Sequence, residues 1–232
     1  MLVDVGKLEQ SFKQVKKGIE AASIEAGRQA SEIRLVAVSK SQPAEKIRGL
    51  VSLGQAEFGE NFAQELLVKA EELKDLAIRW IYIGPLQSNK ISKIVKISHE
   101  IQSVTTEKHI RYVSRYAKEF GKIPFPIYIE VNIGEEDAKH GLLMTDAQPF
   151  ADIIKNSFSE ELDLQGIMVI PPARYQDEIY SGKIPEVYKE AKALARKIGR
   201  GKLSLGMSGD LRMAIQAGTD CLRIGTAIFG DR

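Results

Sequence analysis

Lys40 is the residue of this chain whose position most favours covalent chemistry. It follows an apolar run, residues 33–38, that is typical of a buried strand. Burial disfavours the ammonium form of a lysine, and the free amine can attack an aldehyde to form a Schiff base. The common alternative is a solvated lysine at a strand end, since most lysines are surface residues. The rest of the sequence has to decide between these two interpretations.

Two loops late in the chain contain residue types that bind phosphate. Ser208-Gly209 stands in one loop and Gly225-Thr226 in the other. The hydroxyls can donate hydrogen bonds, and the glycines let backbone N–H groups approach an anion closely. Each loop alone is weak support, because ordinary turns have the same composition. Together they follow two successive predicted strands, which strengthens the prediction of a phosphate site.

Three further polar residues have both a structural and a functional interpretation. Arg223 lies inside a predicted strand and needs a partner, either a carboxylate in an ion pair or an acceptor atom of a ligand. Asn61 follows the second strand, where it could cap the next helix or contact a ligand. His140 is interpreted as an ordinary loop histidine that, with Lys139, could add positive charge to the same region.

Strands and helices alternate along the whole chain and would position these residues. The predicted strands are residues 33–38, 57–59, 79–83, 100–104, 126–132, 164–169, 202–205 and 221–224. Apolar residues at helical spacing lie between them, as in Ile110, Val113, Ala117 and Phe120. A further helix precedes the first strand and is marked by Leu8, Phe12, Val15 and Ile19.

Eight strands alternating with helices in about 230 residues predict a single α/β domain over residues 1–232, a TIM-like (β/α)8 barrel with an extra N-terminal helix. Little chain follows the eighth strand, so the last barrel helix should be short or absent, and the N-terminal helix should help to cover that side. An open doubly wound sheet is the rival, but the Gly-x-Gly-x-x-Gly fingerprint after the first strand is missing. Residues 170–184 are either an active-site lid or a tolerated surface insertion.

Composition excludes several classes of function. The chain has 232 residues, 44% hydrophobic and 28% charged, and a net charge of +2, which argues against general attraction to nucleic acid or membranes. A single cysteine, Cys221, and three histidines argue against a Cys/His metal site. Neither a signal peptide nor a membrane span is recognisable, so a cytoplasmic protein is expected.

The motifs together resemble those of the YggS/PROSC-type pyridoxal 5′-phosphate (PLP) homeostasis proteins. The resemblance extends from about the N-terminal helix to the end of the chain. Its carriers are Ala37-Val38-Ser39-Lys40, Phe58-Gly59-Glu60-Asn61, Ile83-Gly84-Pro85-Leu86-Gln87-Ser88-Asn89-Lys90, Ser204-Leu205-Gly206-Met207-Ser208 and Arg223-Ile224-Gly225-Thr226-Ala227-Ile228-Phe229-Gly230. The third and fifth are long and highly specific. The resemblance implies a barrel of the alanine racemase N-terminal-domain type (PLP fold type III) without that enzyme's second domain.

The resemblance also implies a role for each candidate site residue. Lys40 would form the internal aldimine with PLP, and Arg223 would face the pyridine nitrogen. Asn61 would lie near the ring, and Met207 would line the pocket. The phosphate would be held by Ser208, Gly225 and Thr226.

The implied function is cofactor storage or delivery, and influence on amino-acid and keto-acid balance, without robust turnover. PLP-dependent apoenzymes are the expected recipients and a monomer the expected state. A PLP-dependent racemase is the alternative, and a Schiff-base aldolase without cofactor is a third possibility. A racemase needs a second acid/base group, for which Tyr82, Tyr175 and Tyr180 are candidates.

The sequence departs from the family pattern at two places. Ile81 stands where members often have a histidine, so any role of that histidine is in doubt. Gly209-Asp210 stands where many members have two acidic residues, which predicts a less acidic and more flexible phosphate loop.

Overall fold

Eight parallel strands form a closed barrel in the computed structural model of the chain, which describes residues 5–134, 140–171, 175, 178 and 181–230. Strand order follows the chain, and β8 pairs with β1 to close the barrel. The strands are β1 Arg34–Val38, β2 Glu57–Glu60, β3 Arg79–Tyr82, β4 Glu100–Val104, β5 Phe125–Val131, β6 Leu162–Val169, β7 Lys202–Ser204 and β8 Cys221–Ile224. The predicted TIM-like barrel is therefore confirmed, and each strand lies within two residues of its predicted bounds.

Helices surround the barrel on its outer side. They are α1 Val5–Glu25, α2 Ala44–Ser52, α3 Ala63–Glu72, α4 Ile91–Ile97, α5 Glu107–Glu119, α6 Met144–Phe158, α7 Glu186–Ala195, α8 Leu211–Gln216 and α9 Thr226–Phe229, with a 3-10 turn at Ala30–Glu32. The main core lies between the apolar faces of these helices and the outward-facing side chains of the strands. The last helix, which was predicted to be short or absent, is α9, and it has four residues.

Helix α1 covers the side of the barrel next to β8 and β1, where the four-residue helix α9 is too short to do so. Its four predicted apolar positions are all buried, namely Leu8, Phe12, Val15 and Ile19. It packs against α2, α8 and α9, next to the closure between β8 and β1. The expectation for the N-terminal helix is therefore confirmed.

The barrel interior is mostly polar. A small apolar cluster of Val36, Ile81 and Cys221 lies there. Burial raises the pKa of the Cys221 thiol, which stays protonated and serves as a packing group. Ile81 is fully buried and fills apolar space inside the barrel.

A chain of buried hydrogen bonds runs through this interior from its amino end. Arg34 donates to Glu100 at 3.0 Å, and Gln102 donates to Glu100 at 2.6 Å. The Ser204 hydroxyl donates to Gln102 at 2.8 Å and accepts a hydrogen bond from Arg223 at 2.6 Å. Buried polar groups are costly unless they are paired, so this series of hydrogen bonds holds each of its side chains in a defined orientation.

No helix within the described ranges combines the length and the apolar composition that a bilayer crossing requires.

Candidate functional site

The predicted site residues lie at one end of the barrel, on four adjacent strands. All strands are parallel, so their carboxyl ends share one face, and the order β7-β8-β1-β2 makes these four neighbours. Lys40 follows β1 and Asn61 follows β2, while Arg223 lies within β8. Met207 and Ser208 follow β7, and Gly225 and Thr226 follow β8.

Close contacts join the loops after these strands into one rim. Ser208 Oγ accepts a hydrogen bond from the Ala227 N–H at 3.0 Å, which connects the loop after β7 to the loop after β8. A Cβ placed on Gly225 would lie 3.4 Å from the Val38 carbonyl oxygen, so the loop after β8 borders β1. The Ser39 hydroxyl donates to Glu60 Oε1 at 2.7 Å, which joins the ends of β1 and β2.

Lys40 is half-buried and lies between two serines with fixed conformations. Ser39 faces the helices through its bond to Glu60, and Lys40 follows it in the turn after β1, at the carboxyl end of the barrel. Ser41 has a φ of 60°, in the left-handed region that side chains other than glycine rarely adopt. Its N–H donates to the Glu65 carboxylate at 2.7 Å, which holds this uncommon conformation in place.

A buried ion-pair cluster lies directly behind Lys40, and the sequence analysis missed it. The ammonium of Lys69 donates to Glu60 at 2.8 Å, to Glu65 at 2.8 Å and to the Ser39 carbonyl oxygen at 2.7 Å. Glu60 is fully buried, and burial raises the pKa of its carboxyl group while Lys69 and Ser39 oppose that shift. Glu65 and Lys69 are four residues apart on α3, which is a recognisable spacing; their contact with Ser39 depends on the tertiary structure.

Asn61 lies where the loops after β2 and β3 touch. A Cβ placed on Gly84 would lie 1.8 Å from the Asn61 carbonyl oxygen, so only glycine permits this close approach. The N-cap position of α3 is Phe62, without a side-chain cap, so the interpretation of Asn61 as the helix cap was wrong. Asn61 is half-buried at the mouth of the barrel.

The loop after β7 is anchored by Asp210. Its carboxylate accepts the Met207 N–H at 2.6 Å and the Tyr188 hydroxyl at 2.6 Å. Asp210 is buried, whereas Ser208 and Gly209 are exposed, and a Cβ on Gly209 would meet nothing within 4 Å. The loop therefore has a fixed base and an open tip. Tyr188 and its contact with Asp210 carried no signal in the sequence.

Arg223 is buried inside the barrel beneath this rim. Its guanidinium donates to the Ser204 hydroxyl at 2.6 Å and to the Val169 carbonyl oxygen at 2.8 Å. Within the described part of the chain it forms no ion pair, so the carboxylate partner that one interpretation required is not there. Burial lowers the pKa of Arg223, while the nearby carboxylates of Asp210 and Glu130 act to raise it. Because arginine keeps its proton in proteins, a buried positive charge faces the site.

The tyrosines proposed as a second acid/base group differ in position. Tyr82 is buried, and its hydroxyl donates to the Pro85 carbonyl oxygen at 3.1 Å. Burial raises the pKa of Tyr82 to about 12, so the phenol stays protonated at neutral pH. Tyr175 packs against the main core. The described residues do not include Tyr180, Lys139 or much of the 170–184 segment. The prediction that this segment is either a lid or a surface insertion therefore stays a prediction.

The site combines three chemical functions at one end of the barrel. Lys40 offers an amine for an aldehyde, the loops after β7 and β8 offer hydroxyls and an open glycine tip for an anion, and Arg223 offers a buried positive charge for an acceptor atom. These functions match the aldehyde, the phosphate and the ring nitrogen of one ligand class, the pyridoxal phosphates.

Known proteins share both this sequence pattern and this fold. The family described as alanine racemase, N-terminal domain, matches residues 15–232. A pyridoxal phosphate homeostasis protein from Vibrio cholerae is 34% identical over 230 residues, which cover 97% of this chain and 96% of that protein. The chain belongs to the alanine racemase N-terminal domain family and, within it, to the pyridoxal phosphate homeostasis proteins.

Solved structures agree with this assignment. An unknown protein from Bifidobacterium adolescentis is similar over 99% of this chain and 98% of its own, with 28% identity and a TM-score of 0.86. The structure of PipY from Synechococcus elongatus with PLP bound is 31% identical over 86% of this chain and 93% of its own, with a TM-score of 0.72.

Proposed function

We infer that this chain binds PLP covalently through Lys40 and takes part in the homeostasis of the cofactor inside the cell, by storing or delivering it without sustained turnover. The observation that carries this proposal is that Lys40 and the two phosphate-binding loops form one rim on three adjacent strands, with Arg223 buried beneath it. The PLP-bound structure of the related PipY protein supports the identity of the ligand.

Each site residue has a role that its surroundings support. Lys40 would supply the amine that condenses with the aldehyde of PLP, whose oxygen leaves as water. Arg223 would donate to the pyridine nitrogen, Asn61 would lie beside the ring and Met207 would line the pocket. Ser208, Gly225 and Thr226 would hold the phosphate. The exposed hydroxyl of Ser208 and the open tip at Gly209 leave room for an anion there.

Bound PLP supplies a reactive aldehyde and a ring that can accept electrons. The ring accepts electrons best when its nitrogen is protonated, which a neighbouring carboxylate favours. Arg223 cannot accept a proton, and a guanidinium beside the nitrogen disfavours its protonation. The buried, carbonyl-bonded phenol of Tyr82 does not provide the second proton-transfer group of a racemase. Both observations favour binding and delivery over amino-acid racemisation.

The proposed working state is a monomeric, single-domain cytoplasmic protein that transfers PLP to apoenzymes needing it. The proposed function does not involve binding to nucleic acid, because a net charge of only +2 gives no general attraction to it. A screen with single amino acids tests the absence of turnover, because sustained protein-dependent racemisation of any of them would favour the racemase instead.

The covalent link is tested by adding PLP to the purified protein, reducing with borohydride and mapping peptides. We expect an absorption band in the visible or near-ultraviolet that disappears on reduction, with pyridoxyl mass on Lys40. In Lys40→Ala both signals should be lost while some noncovalent binding through the phosphate remains. The matched control is Lys118→Ala, which removes an exposed lysine from α5 and should behave as the unaltered protein does. An unchanged band in Lys40→Ala would refute the assignment.

A further inference from the structure

The Lys69 ion-pair cluster contacts both peptide groups that flank Lys40. The carbonyl of Ser39 belongs to the peptide bond leading into Lys40, and Lys69 Nζ donates to it at 2.7 Å. The N–H of Ser41 belongs to the next peptide bond, and Glu65 accepts it at 2.7 Å. The Glu65 oxygen that binds Ser41 also binds Lys69, so one ion pair holds the backbone on both sides of the lysine.

Two of the three charged members of the cluster are buried, and the third, Glu65, has 30% of its side chain exposed. Lys69 is 6% exposed and Glu60 is 0% exposed. The three protons of the ammonium have three acceptors, Ser39, Glu60 and Glu65. Hydrogen bonds between charged groups are shorter and stronger than neutral ones, and weak screening in the interior preserves them.

Simple stability is a poor explanation for this arrangement. Bringing charged groups out of water costs several kcal/mol per ion, and an apolar replacement of similar volume is commonly as stable. Glu60 Oε2 is buried and has no hydrogen-bond partner among the residues that the structure describes, which adds to that cost. The φ of 60° at Ser41 is a second unfavourable feature at the same place. Strain and buried charge concentrated beside one lysine favour a role in positioning that lysine.

We propose that Lys69, with Glu60 and Glu65, is a positioning group that fixes the backbone of Lys40 so that its amine meets the aldehyde of PLP in a reactive geometry. The cluster lies behind the strand ends and acts through the backbone of residues 39–41. This inference rests on the proposed function, since it assumes that Lys40 is the residue that PLP modifies.

The test compares variants of the full-length protein by the rate at which PLP modifies Lys40, read as borohydride-trapped pyridoxyl mass over time. Lys69→Met keeps the length of the side chain and removes its charge. We expect a rate lower by on the order of tenfold, because small displacements of a reacting group reduce rates strongly. The matched control is Lys192→Met, which removes a half-buried lysine of α7 that forms an ion pair with Asp220, and it should leave the rate unchanged.

Two variants of Glu65 separate positioning from folding. Glu65→Gln keeps an oxygen that can accept from Ser41 and should retain most of the rate, whereas Glu65→Ala should resemble Lys69→Met. Hydrogen exchange of the Ser41 amide without PLP gives a second readout. It should become faster in Lys69→Met and Glu65→Ala, and not in Lys192→Met.

The outcomes distinguish the two proposals. Modification of Lys40 at the original rate in Lys69→Met, or an equal loss in Lys192→Met, would overturn the positioning role while leaving the proposed function intact. Failure of the unaltered protein to be modified at Lys40 would overturn the proposed function itself. Slower modification confined to Lys69→Met and Glu65→Ala would support both.

Discussion

Two residues at the mouth of this barrel, Ser208 and Thr226, have exposed hydroxyl groups that can still donate a hydrogen bond to a ligand. Ser208 accepts the Ala227 N–H at 3.0 Å, and its hydroxyl proton is available to an anion because the side chain is exposed. Thr226 stands one residue before Ala227 and is also exposed. A phosphate between the two loops would therefore meet two hydroxyl donors.

Replacing these hydroxyls should weaken retention of PLP. In Ser208→Ala and in Thr226→Ala we expect a loss of about 1–2 kcal/mol per hydrogen bond, or roughly 5- to 30-fold in Kd. Ser52→Ala is the matched control, because Ser52 is an exposed serine of α2 whose hydroxyl bonds the Gly49 carbonyl oxygen. Equilibrium dialysis with PLP measures the affinities. An affinity unchanged in the double variant would remove the phosphate site from these loops.

Elements of the barrel are joined at the site by close backbone contacts as well as by hydrogen bonds. The loops after β2 and β3 approach so closely that a Cβ on Gly84 would lie 1.8 Å from the Asn61 carbonyl oxygen. The neighbouring atom is backbone, so the clash cannot be relieved by turning a side chain. The absence of a side chain at Gly84 thus allows the loops after β2 and β3 to touch, and this contact keeps Asn61 at the mouth of the barrel.

Adding a methyl group at Gly84 should separate these loops. We expect Gly84→Ala to lower the free energy of unfolding by about 3 kcal/mol, since overpacking forces the backbone to shift. Gly18→Ala is the control with opposite sign: Gly18 lies in α1 with nothing near its Cβ position, and alanine should stabilise the helix by about 0.5–1 kcal/mol. Urea unfolding of both variants measures the difference. A Gly84→Ala protein as stable as the original would contradict the contact.

The stability of the whole molecule depends on helix α1, which precedes the repeating pattern of strand and helix. Helix α9 has four residues and cannot cover its side of the barrel, so α1 packs there against α8 and α9. Most of the site lies at the carboxyl ends of the strands, and Thr226 is a site residue on α9, which α1 contacts. Changes in the buried face of α1 should therefore affect stability much more than PLP binding.

Truncating a buried residue of α1 should destabilise the molecule with little effect on its site. We expect Phe12→Ala to cost about 3–5 kcal/mol, the usual effect of removing a buried aromatic ring. Ile24→Ala on the same helix removes a side chain that is 71% exposed and should change stability by less than about 0.5 kcal/mol. Thermal unfolding measures both. Equal melting temperatures would contradict the packing role of α1, and a loss of PLP affinity in folded Phe12→Ala as large as the loss of stability would contradict its small effect on the site.

Local patterns in the sequence determined the fold and the type of site. The strand and helix periodicities depend on side chains close together in the chain, so the eight strands, the short α9 and the role of α1 could all be predicted. Lys40 and the loops that contain Ser208 and Gly225 could also be predicted as site residues, because each follows a predicted strand. Residues that follow parallel strands of a barrel share one face, whatever the details of packing.

Only the tertiary structure decided what holds these residues in place. Arg223 bonds Ser204 and Val169 across the barrel, and the sequence contains nothing that selects these partners over a carboxylate. Lys69 reaches Ser39 from 30 residues away, through the pairing of β1 with β2 and the packing of α3 behind them. Such contacts depend on strand register and helix orientation, which arise from the packing of the whole chain and not from any local segment of it.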